Sequence, residues 1–476
     1  MGISFQMIAL RPSSQRRAAP AAKAIAVLTA AAVVCSTLPA RAQEGGLPII
    51  RDAEIEQLLR DYSAPVLGAA GLTKQNIHPV IISDRSFNAF VIDAKHIFVN
   101  AGALMDSKTP NQIIGVLAHE TGHIAGGHLS KLRAELANAQ TAAIIAMLLG
   151  VGAAVAGARS GNGSIGNASM AAIMAPQSAM MYSILSYQRQ QEEQADKAGV
   201  KFLTATGQSA KGMYETFKRF AENELFSSQG ASPYMRSHPM SKERVAALTE
   251  VARSSPYWDK TDPPELQQRH DLMRAKLNGY LDRPDTLLRI YPPTDQSLPA
   301  RYARAISAYR YGNVGSALGQ MDGLIQSMPN NPYFYELKGQ ALLESGHPAE
   351  AVGPLRHAVS LAPNPTLIQV MLGQALIATN SPAAAGEAIG YLQSAILHDP
   401  DIPDAYMQLA MAYGRKGDTA QADLASAQAA FAKGDFRTAR QLAKRAKEHF
   451  PVGAPGWVKA DDIEGYRPPG GSRGPF

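Results

Sequence analysis

The fold and the chemistry of this chain can both be read from one stretch, Gly115-Val-Leu-Ala-His-Glu-Thr-Gly-His-Ile-Ala-Gly-Gly-His128. It contains the pattern H-E-x-x-H at residues 119–123. Residues four apart on an α-helix share a face, roughly 6 Å apart along its axis, so His119 and His123 are placed to bind one metal ion. Glu120 lies about 100° round the helix, where it reaches a water molecule beside the metal without being a ligand. Two nitrogen ligands, an open coordination position and a base are what a zinc hydrolase requires.

The flanks of this pattern distinguish a metal-binding helix from a chance match on a solvated helix. Residues 113–118, Ile-Ile-Gly-Val-Leu-Ala, are apolar and predict that the helix is buried. Gly122 predicts that another segment approaches the helix closely. We therefore expect a buried site that holds one zinc ion per chain.

The first 42 residues have the composition of a signal peptide. Four basic residues from Arg11 to Lys23 precede an apolar run from Ala24 to Leu38, and Ala40-Arg41-Ala42 offers a small-x-small cleavage site. A transmembrane anchor is the alternative, but the run is short for a bilayer span. We expect export to a bacterial periplasm with cleavage near Ala42.

Removal of this segment changes what the charge and the cysteine count mean. The segment holds five basic residues and no acidic ones, so the formal net charge would fall from +6 to +1. A balance this close to neutral does not indicate a nucleic-acid partner. The only cysteine, Cys35, lies in the segment, which excludes disulfides and thiol chemistry from the mature protein.

A helix and a small sheet are predicted before the metal-binding stretch. Residues 50–62 carry apolar side chains at helical spacing, and residues 79–83, 88–93 and 95–100 are rich in β-branched and aromatic side chains. These three segments predict an antiparallel sheet with a turn at Asp93-Ala94-Lys95. The sheet either offers an edge to which an extended peptide adds as a strand, or only supports the helix. Both interpretations are open at this point.

An apolar, glycine-interrupted region follows the metal-binding stretch, at residues 142–185. Its first run of seventeen apolar residues is slightly short of the ~20 that cross a bilayer. We expect a helical hairpin near the site, either buried or in peripheral contact with a membrane. Insertion as two spans is the less favoured alternative.

The third metal ligand is expected on a later helix. Glu192 and Asp196 are four residues apart and face the same way, so Glu192 is placed to bind the metal while Asp196 orients a ligand histidine. Glu193 is the rival ligand, but it lies on another face from Asp196. The alternative for the whole segment is a solvated, charged helix.

The combination H-E-x-x-H and R-x-x-E-x-x-A-D, the latter met by Arg189, Glu192, Ala195 and Asp196, resembles the HtpX-type gluzincin metallopeptidases. The later element Ser237-His-Pro-Met-Ser-Lys-Glu-Arg244 is similar to the H-P-x-x-x-x-R element of that family. In the BepA-like subfamily, whose periplasmic members carry helical repeats, the resemblance implies that His238 takes the fourth metal position and holds the enzyme latent. The resemblance places Arg244 near the site, either stabilising the oxyanion or forming a buried salt bridge.

The remaining histidines receive no metal role from spacing. His128 lies nine residues after His119, about 180° round the helix, so it is expected to be a hydrogen-bonding or surface residue. His78, His96 and His270 have no ligand spacing.

The C-terminal half repeats with a period of 34 residues. Turn residues recur at Gly312, Gly346 and Asn380, and small residues five positions later at Ala317 and Ala351. This is the tetratricopeptide period, in which two helices per unit stack into a solenoid with a concave binding face. The next unit is stretched, because Pro363 and Pro400 are 37 residues apart. We expect this face to dock a partner protein, the alternative being a scaffold that only covers the peptidase.

The sequence thus predicts an α+β, mostly helical protein with a gluzincin-type metallopeptidase domain followed by an all-α tetratricopeptide solenoid. The expected segments are a signal peptide (1–42), the zinc domain (43–262), a linker with a helix (263–295), the repeats (296–452) and a Gly/Pro-rich tail (453–476). The resemblance implies a zinc endopeptidase and chaperone acting on unfolded or stalled outer-membrane proteins, with the outer-membrane assembly machinery as partner. The rivals are an adaptor with a vestigial metal site and an inner-membrane quality-control protease.

Overall fold

The N-terminal part of the fold is a small four-stranded sheet that packs against helices. A computed structural model describes residues 48–137, 188–226 and 233–468, so the predicted signal peptide, the predicted 142–185 hairpin and the end of the predicted tail lie outside the described residues. The strands are β1 (Ile49–Ile50), β2 (His78–Ile82), β3 (Ala89–Val91) and β4 (His96–Asn100), in the spatial order β1-β2-β4-β3.

The sheet is mixed, not antiparallel throughout as its hairpin signal suggests. The β3–β4 hairpin is antiparallel as predicted, but β2 runs parallel to β4, with His78 opposite His96. The difference arises because β4 returns from the hairpin into the space between β2 and β3. The two-residue β1, which is antiparallel to β2, is too short to give a sequence pattern.

The helices of this part begin with α1 (Ala53–Ala69), α2 (Ala101–Asp106) and α3 (Pro110–Ala125). Asp52 caps α1 by accepting a hydrogen bond from the Ile55 N–H at 2.9 Å. The predicted apolar face of α1 is buried, and it shares one core with the inner face of the sheet and with α3. Residues 128–137 form α4 and residues 188–205 form α5, and both are helical as far as the described ranges extend.

Helix α3 is buried along most of its length because its neighbours cross it at glycines. A Cβ on Gly122 would lie 2.7 Å from the Ala195 carbonyl oxygen of α5, and one on Gly115 would lie 2.6 Å from the Met213 Cβ. Met213 belongs to α6 (Lys211–Phe226), which is followed by α7 (Pro233–Ser237) and α8 (Lys242–Arg253). The close approach predicted at Gly122 is thus confirmed, and the crossing brings α5 within reach of the H-E-x-x-H side chains.

The rest of the described chain is an array of antiparallel helix pairs. Helices α9 (Pro264–Leu281) and α10 (Pro284–Ile290) lead into five pairs: α11 (Leu298–Tyr311) with α12 (Val314–Ser327), α13 (Pro332–Glu344) with α14 (Pro348–Leu361), α15 (Thr366–Ala378) with α16 (Pro382–His398), α17 (Pro403–Arg415) with α18 (Thr419–Ala432), and α19 (Phe436–Lys447) with α20 (Pro455–Gly465). The all-helical solenoid is confirmed. That its units are tetratricopeptide repeats stays a prediction.

The turns inside the pairs explain the residues that recur in the sequence. Gly346 and Gly417 have positive φ, and Asn380 takes the same left-handed conformation at φ 60°, whereas Gly312 has φ −119°. Gly434, in the turn between α18 and α19, also has positive φ. The stretched unit is the one that contains α16, which has 17 residues. Among the helices that the structure describes, none combines the length and the apolar character that crossing a bilayer requires.

Candidate metal centre

The centre of the site is the pair of imidazoles on α3. His119 and His123 are both buried, and their Nε2 atoms lie 3.0 Å apart. Their ring centroids are 4.7 Å apart, with the planes at 80°. The i, i+4 spacing therefore brings two nitrogen ligands to one point, as predicted.

Helix α5 adds the carboxylate. Glu192 places Oε2 3.4 Å from His119 Nε2 and Oε1 3.4 Å from His123 Nε2. Its neighbour Glu193 has a side chain that is 49% exposed and lies 3.9 Å from Lys197, away from the histidines. Of the two rival carboxylates, only Glu192 belongs to the group of possible ligands.

A third histidine enters from the segment after α7. His238 Nδ1 lies 3.1 Å from Glu192 Oε2 and 3.3 Å from His119 Nε2. Ligand atoms of His119, His123, Glu192 and His238 all lie within 4.8 Å of one another, and all four residues are buried. Three imidazole nitrogens and one carboxylate oxygen make four donor atoms, which is the number and the kind of ligands that zinc prefers.

Glu120 lies next to this cluster and is fully buried. Neither of its carboxylate oxygens makes a hydrogen bond within the described part of the chain, and His238 Nε2 lies 3.4 Å from Oε1. Burial raises the pKa of the Glu120 carboxyl, against the opposing influence of His238 and His119. A buried carboxylate with free acceptor atoms and a raised pKa is suited to take up a proton.

Asp196 and Arg244 contact the possible metal ligands from behind and fix their positions. Asp196 Oδ1 lies 2.9 Å from His119 Nδ1, on the side of the imidazole away from the cluster. Burial lowers the pKa of His119, but the Asp196 and Glu192 carboxylates outweigh it and raise that pKa to about 9. A carboxylate behind a ligand histidine fixes its tautomer and ring orientation.

The Arg244 guanidinium forms ion pairs with the carboxylates of Asp196 and Glu192. It donates to both Asp196 oxygens at 2.7 and 2.8 Å and to the Pro239 carbonyl at 3.0 Å, and Nη1 is 2.7 Å from Glu192 Oε2. Of the two roles left open for Arg244, these contacts favour the buried salt bridge over the oxyanion contact.

Two residues of the site are not indicated by the sequence pattern. His128 Nδ1 lies 3.0 Å from His123 Nδ1, so it stands behind His123 much as Asp196 stands behind His119. The helix ends at Ala125 and turns at Gly127 (φ 62°), which brings His128 back to the face that helical spacing excludes. Tyr234 packs its ring 4.8 Å from that of His238, and its buried hydroxyl has no hydrogen-bond partner among the described residues.

The other histidines are accounted for as follows. His270 is buried between the Tyr62 hydroxyl at 3.0 Å and the Ser107 carbonyl at 2.9 Å, and burial lowers its pKa to about 4. It is a structural residue. His78 and His96, which lack ligand spacing in the sequence, are neighbours on β2 and β4.

The sheet presents β3 at its outer edge. This edge is close to the site, since the side chain of Asn88 before β3 lies 3.5 Å from that of Ser237, the residue before His238. The position is compatible with the addition of a peptide strand.

Residues 50–252 match the sequence profile of Peptidase family M48. This part of the chain is therefore similar to the M48 metallopeptidases, and the prediction of a zinc site is confirmed by this match together with the buried donor set. The chain is 26% identical over 209 residues to the putative beta-barrel assembly-enhancing protease of Vibrio cholerae, covering 44% of this chain and 41% of that protein. It is 22% identical over 306 residues to the beta-barrel assembly-enhancing protease of Escherichia coli K12, covering 62% and 60%. Metalloprotease LoiP of Escherichia coli K12 is 29% identical over 176 residues, covering 37% and 63%. The chain thus spans less than two thirds of each of these relatives.

Proposed function

We propose that this protein is a periplasmic zinc endopeptidase that acts on unfolded or stalled outer-membrane proteins. The observation that carries the proposal is the convergence of His119, His123 and Glu192 within a few ångströms, beside the buried and unpaired carboxylate of Glu120. The names of the relatives, which are beta-barrel assembly-enhancing proteases, support the choice of substrate class.

The residues divide the chemical work as follows. His119, His123 and Glu192 hold the zinc ion, which supplies Lewis acidity toward the scissile carbonyl and lowers the pKa of water. Glu120 takes the proton of the attacking water and returns it to the leaving amine. Asp196 orients His119, and Arg244 keeps Asp196 and Glu192 ionised and in position.

His238 is a removable fourth ligand that keeps the resting enzyme latent. Its imidazole lies within 3.4 Å of atoms of His119, Glu192 and Glu120, in the space that an attacking water would need. It directly follows the five-residue helix α7. Movement of α7 would withdraw one ligand and leave the other three in place.

Two further surfaces recognise the substrate and the partner. An extended segment of substrate adds to the β3 edge, and the concave face of the solenoid docks the outer-membrane assembly machinery. The 142–185 region supplies a peripheral contact with the membrane. These assignments explain why a peptidase domain and a helical array share one chain.

The test is degradation of a reduced, carboxymethylated protein by the purified mature chain. Wild type, Glu120→Gln, His238→Ala and the matched surface control Glu193→Gln would be compared, with zinc quantified in each. We expect slow cleavage by wild type and Glu193→Gln, faster cleavage by His238→Ala, and none by Glu120→Gln with zinc retained.

Two outcomes would contradict the proposal. Equal activity of Glu120→Gln and wild type would exclude Glu120 as the base. If none of the four proteins cleaves the substrate although all contain zinc, the function of the protein would lie in binding by the solenoid and not in peptide-bond cleavage.

A further inference from the structure

The pair His78 and His96 lies outside the proposed active site and has no part in its chemistry. The two residues are 18 positions apart in the sequence, but the parallel register of β2 and β4 places them directly opposite each other. Their ring centroids are 4.7 Å apart and the ring planes are perpendicular at 90°.

Each ring has its Nδ1 atom bound to an oxygen. His78 Nδ1 lies 3.2 Å from the Asn76 carbonyl oxygen, and His96 Nδ1 lies 2.8 Å from Asp93 Oδ2. Because a carbonyl or a carboxylate can only accept, Nδ1 must carry the proton in both rings. A ring whose only proton is on Nδ1 presents Nε2 as a lone pair, and neither Nε2 has a hydrogen-bond partner among the described residues.

These oxygens are the partners that metal-binding histidines use. A ligand histidine almost always donates its second nitrogen to a carboxylate or a backbone carbonyl, which fixes the tautomer and raises basicity. Asp93 is itself fixed by the Lys95 and His96 N–H groups, which donate to its Oδ1 at 2.7 and 2.8 Å. Both rings are partly exposed, so an ion can reach them from solvent.

We propose that His78 and His96 form a second metal site on the sheet, which binds a divalent transition-metal cation through the two Nε2 atoms with water in the remaining positions. Imidazole favours Cu²⁺, Ni²⁺ and Zn²⁺, and Cu²⁺ binds most tightly in that series. The site does not depend on the proposed peptidase function.

The test is titration of the zinc-loaded mature protein with Cu²⁺, followed by electron paramagnetic resonance. Wild type is expected to bind one equivalent more than His78→Ala or His96→Ala and to show nitrogen hyperfine coupling from two imidazoles. Asp93→Asn is expected to bind that equivalent 10–100-fold more weakly.

The matched control is His347→Ala, because His347 also pairs with a carboxylate, Glu350 at 3.0 Å, on an exposed surface. It should retain the extra equivalent. Glutamine variants at residues 78 and 96 replace the alanine variants if circular dichroism shows that these do not fold. The proposal is overturned if the variants at residues 78 and 96 bind as much Cu²⁺ as wild type, or if His347→Ala loses the same amount.

Discussion

At the scale of single residues, His119 and His123, the two histidines proposed as ligands, owe their orientation to different partners. Asp196 stands behind His119 and is ionised by Arg244, whereas a neutral imidazole, His128, stands behind His123. For His123 to offer Nε2 to a metal, its Nδ1 must donate to His128 Nδ1. This arrangement makes His128 a positioning residue and not a ligand.

His128→Ala is therefore expected to weaken zinc binding about 10–100-fold, as loss of a partner behind a metal ligand commonly does. Competition with a chelator of known affinity measures the change. His128→Gln, which restores an acceptor, should recover part of the loss. Unchanged zinc affinity in His128→Ala would show that packing alone orients His123.

Tyr234 carries the second prediction at this scale. Burial raises the pKa of its phenol, the nearby Glu120 charge adds to the rise, and its hydroxyl is unpaired. A buried unpaired hydroxyl costs roughly 1–3 kcal/mol, so Tyr234→Phe should not lower the melting temperature.

If the Tyr234 hydroxyl donates a hydrogen bond to the negative charge that develops on the scissile carbonyl oxygen, Tyr234→Phe loses activity. We expect kcat to fall about 100-fold, with KM and zinc content unchanged, as for the loss of an oxyanion donor. Steady-state kinetics on a fluorogenic peptide measures the effect. An unchanged kcat would leave the tyrosine with a packing role only.

At the scale of secondary-structure elements, the crossing of α3 and α5 determines whether the ligands meet. Gly122 and Ala195 are the contact point, and Gly199 on α5 lies against Ala118 on α3 at 3.3 Å for a hypothetical Cβ. Larger residues at these positions would move Glu192 away from the imidazoles. Small residues at the crossing are therefore part of the metal site, although none of them binds metal.

Gly122→Ala is expected to lower both stability and zinc content, because overpacking against backbone costs roughly 1–3 kcal/mol. The matched control is Gly319→Ala in α12, where no atom lies within 4 Å of the added Cβ. The control should gain up to about 1 kcal/mol from helix propensity alone. Thermal unfolding and zinc analysis of both variants check this, and a zinc-replete Gly122→Ala would refute it.

The same elements show which features of the fold can be predicted from the sequence. The ligand helix, the carboxylate helix and the paired C-terminal helices all follow local rules, because their signals lie within four residues or within one repeat. The position of β4 between β2 and β3, which joins His78 to His96, depends on a long-range register that periodicity does not encode. Helical geometry excludes His128 from the site, and its observed position depends on the end of α3 at Ala125 and the turn at Gly127 that follows.

At the scale of the whole molecule, one buried lysine connects the start of α1, helix α9 and the solenoid. Lys276 of α9 lies 2.7 Å from Asp52, 3.3 Å from Glu54 and 3.7 Å from Glu336 of α13. The Tyr302 hydroxyl of α11 donates to Glu54 at 2.8 Å. Since α1 also packs with α3 in one core, this cluster links the solenoid to the helix that carries the metal ligands.

Three carboxylates face one ammonium in this cluster, so the charges do not balance. Burial raises the pKa of Glu336 to about 7, although Lys276 opposes the rise, and the ordinary value is 4.5. Between these values the folded protein holds a proton that the unfolded chain has released. The contribution of Glu336 to stability is therefore present at low pH and is lost as pH rises through about 7.

Glu336→Gln keeps the shape and removes the titrating group, so it tests whether this cluster makes the molecule pH-sensitive. We expect the variant to melt at a higher temperature than wild type at pH 8 and at nearly the same temperature at pH 5, where Glu336 is already neutral. Glu350→Gln, at an exposed glutamate of α14, should follow wild type at both values. A variant less stable than wild type at pH 8 would mean that the ionised Glu336 is needed to hold Lys276, and that the solenoid is tied to the metal helix by charge at every pH.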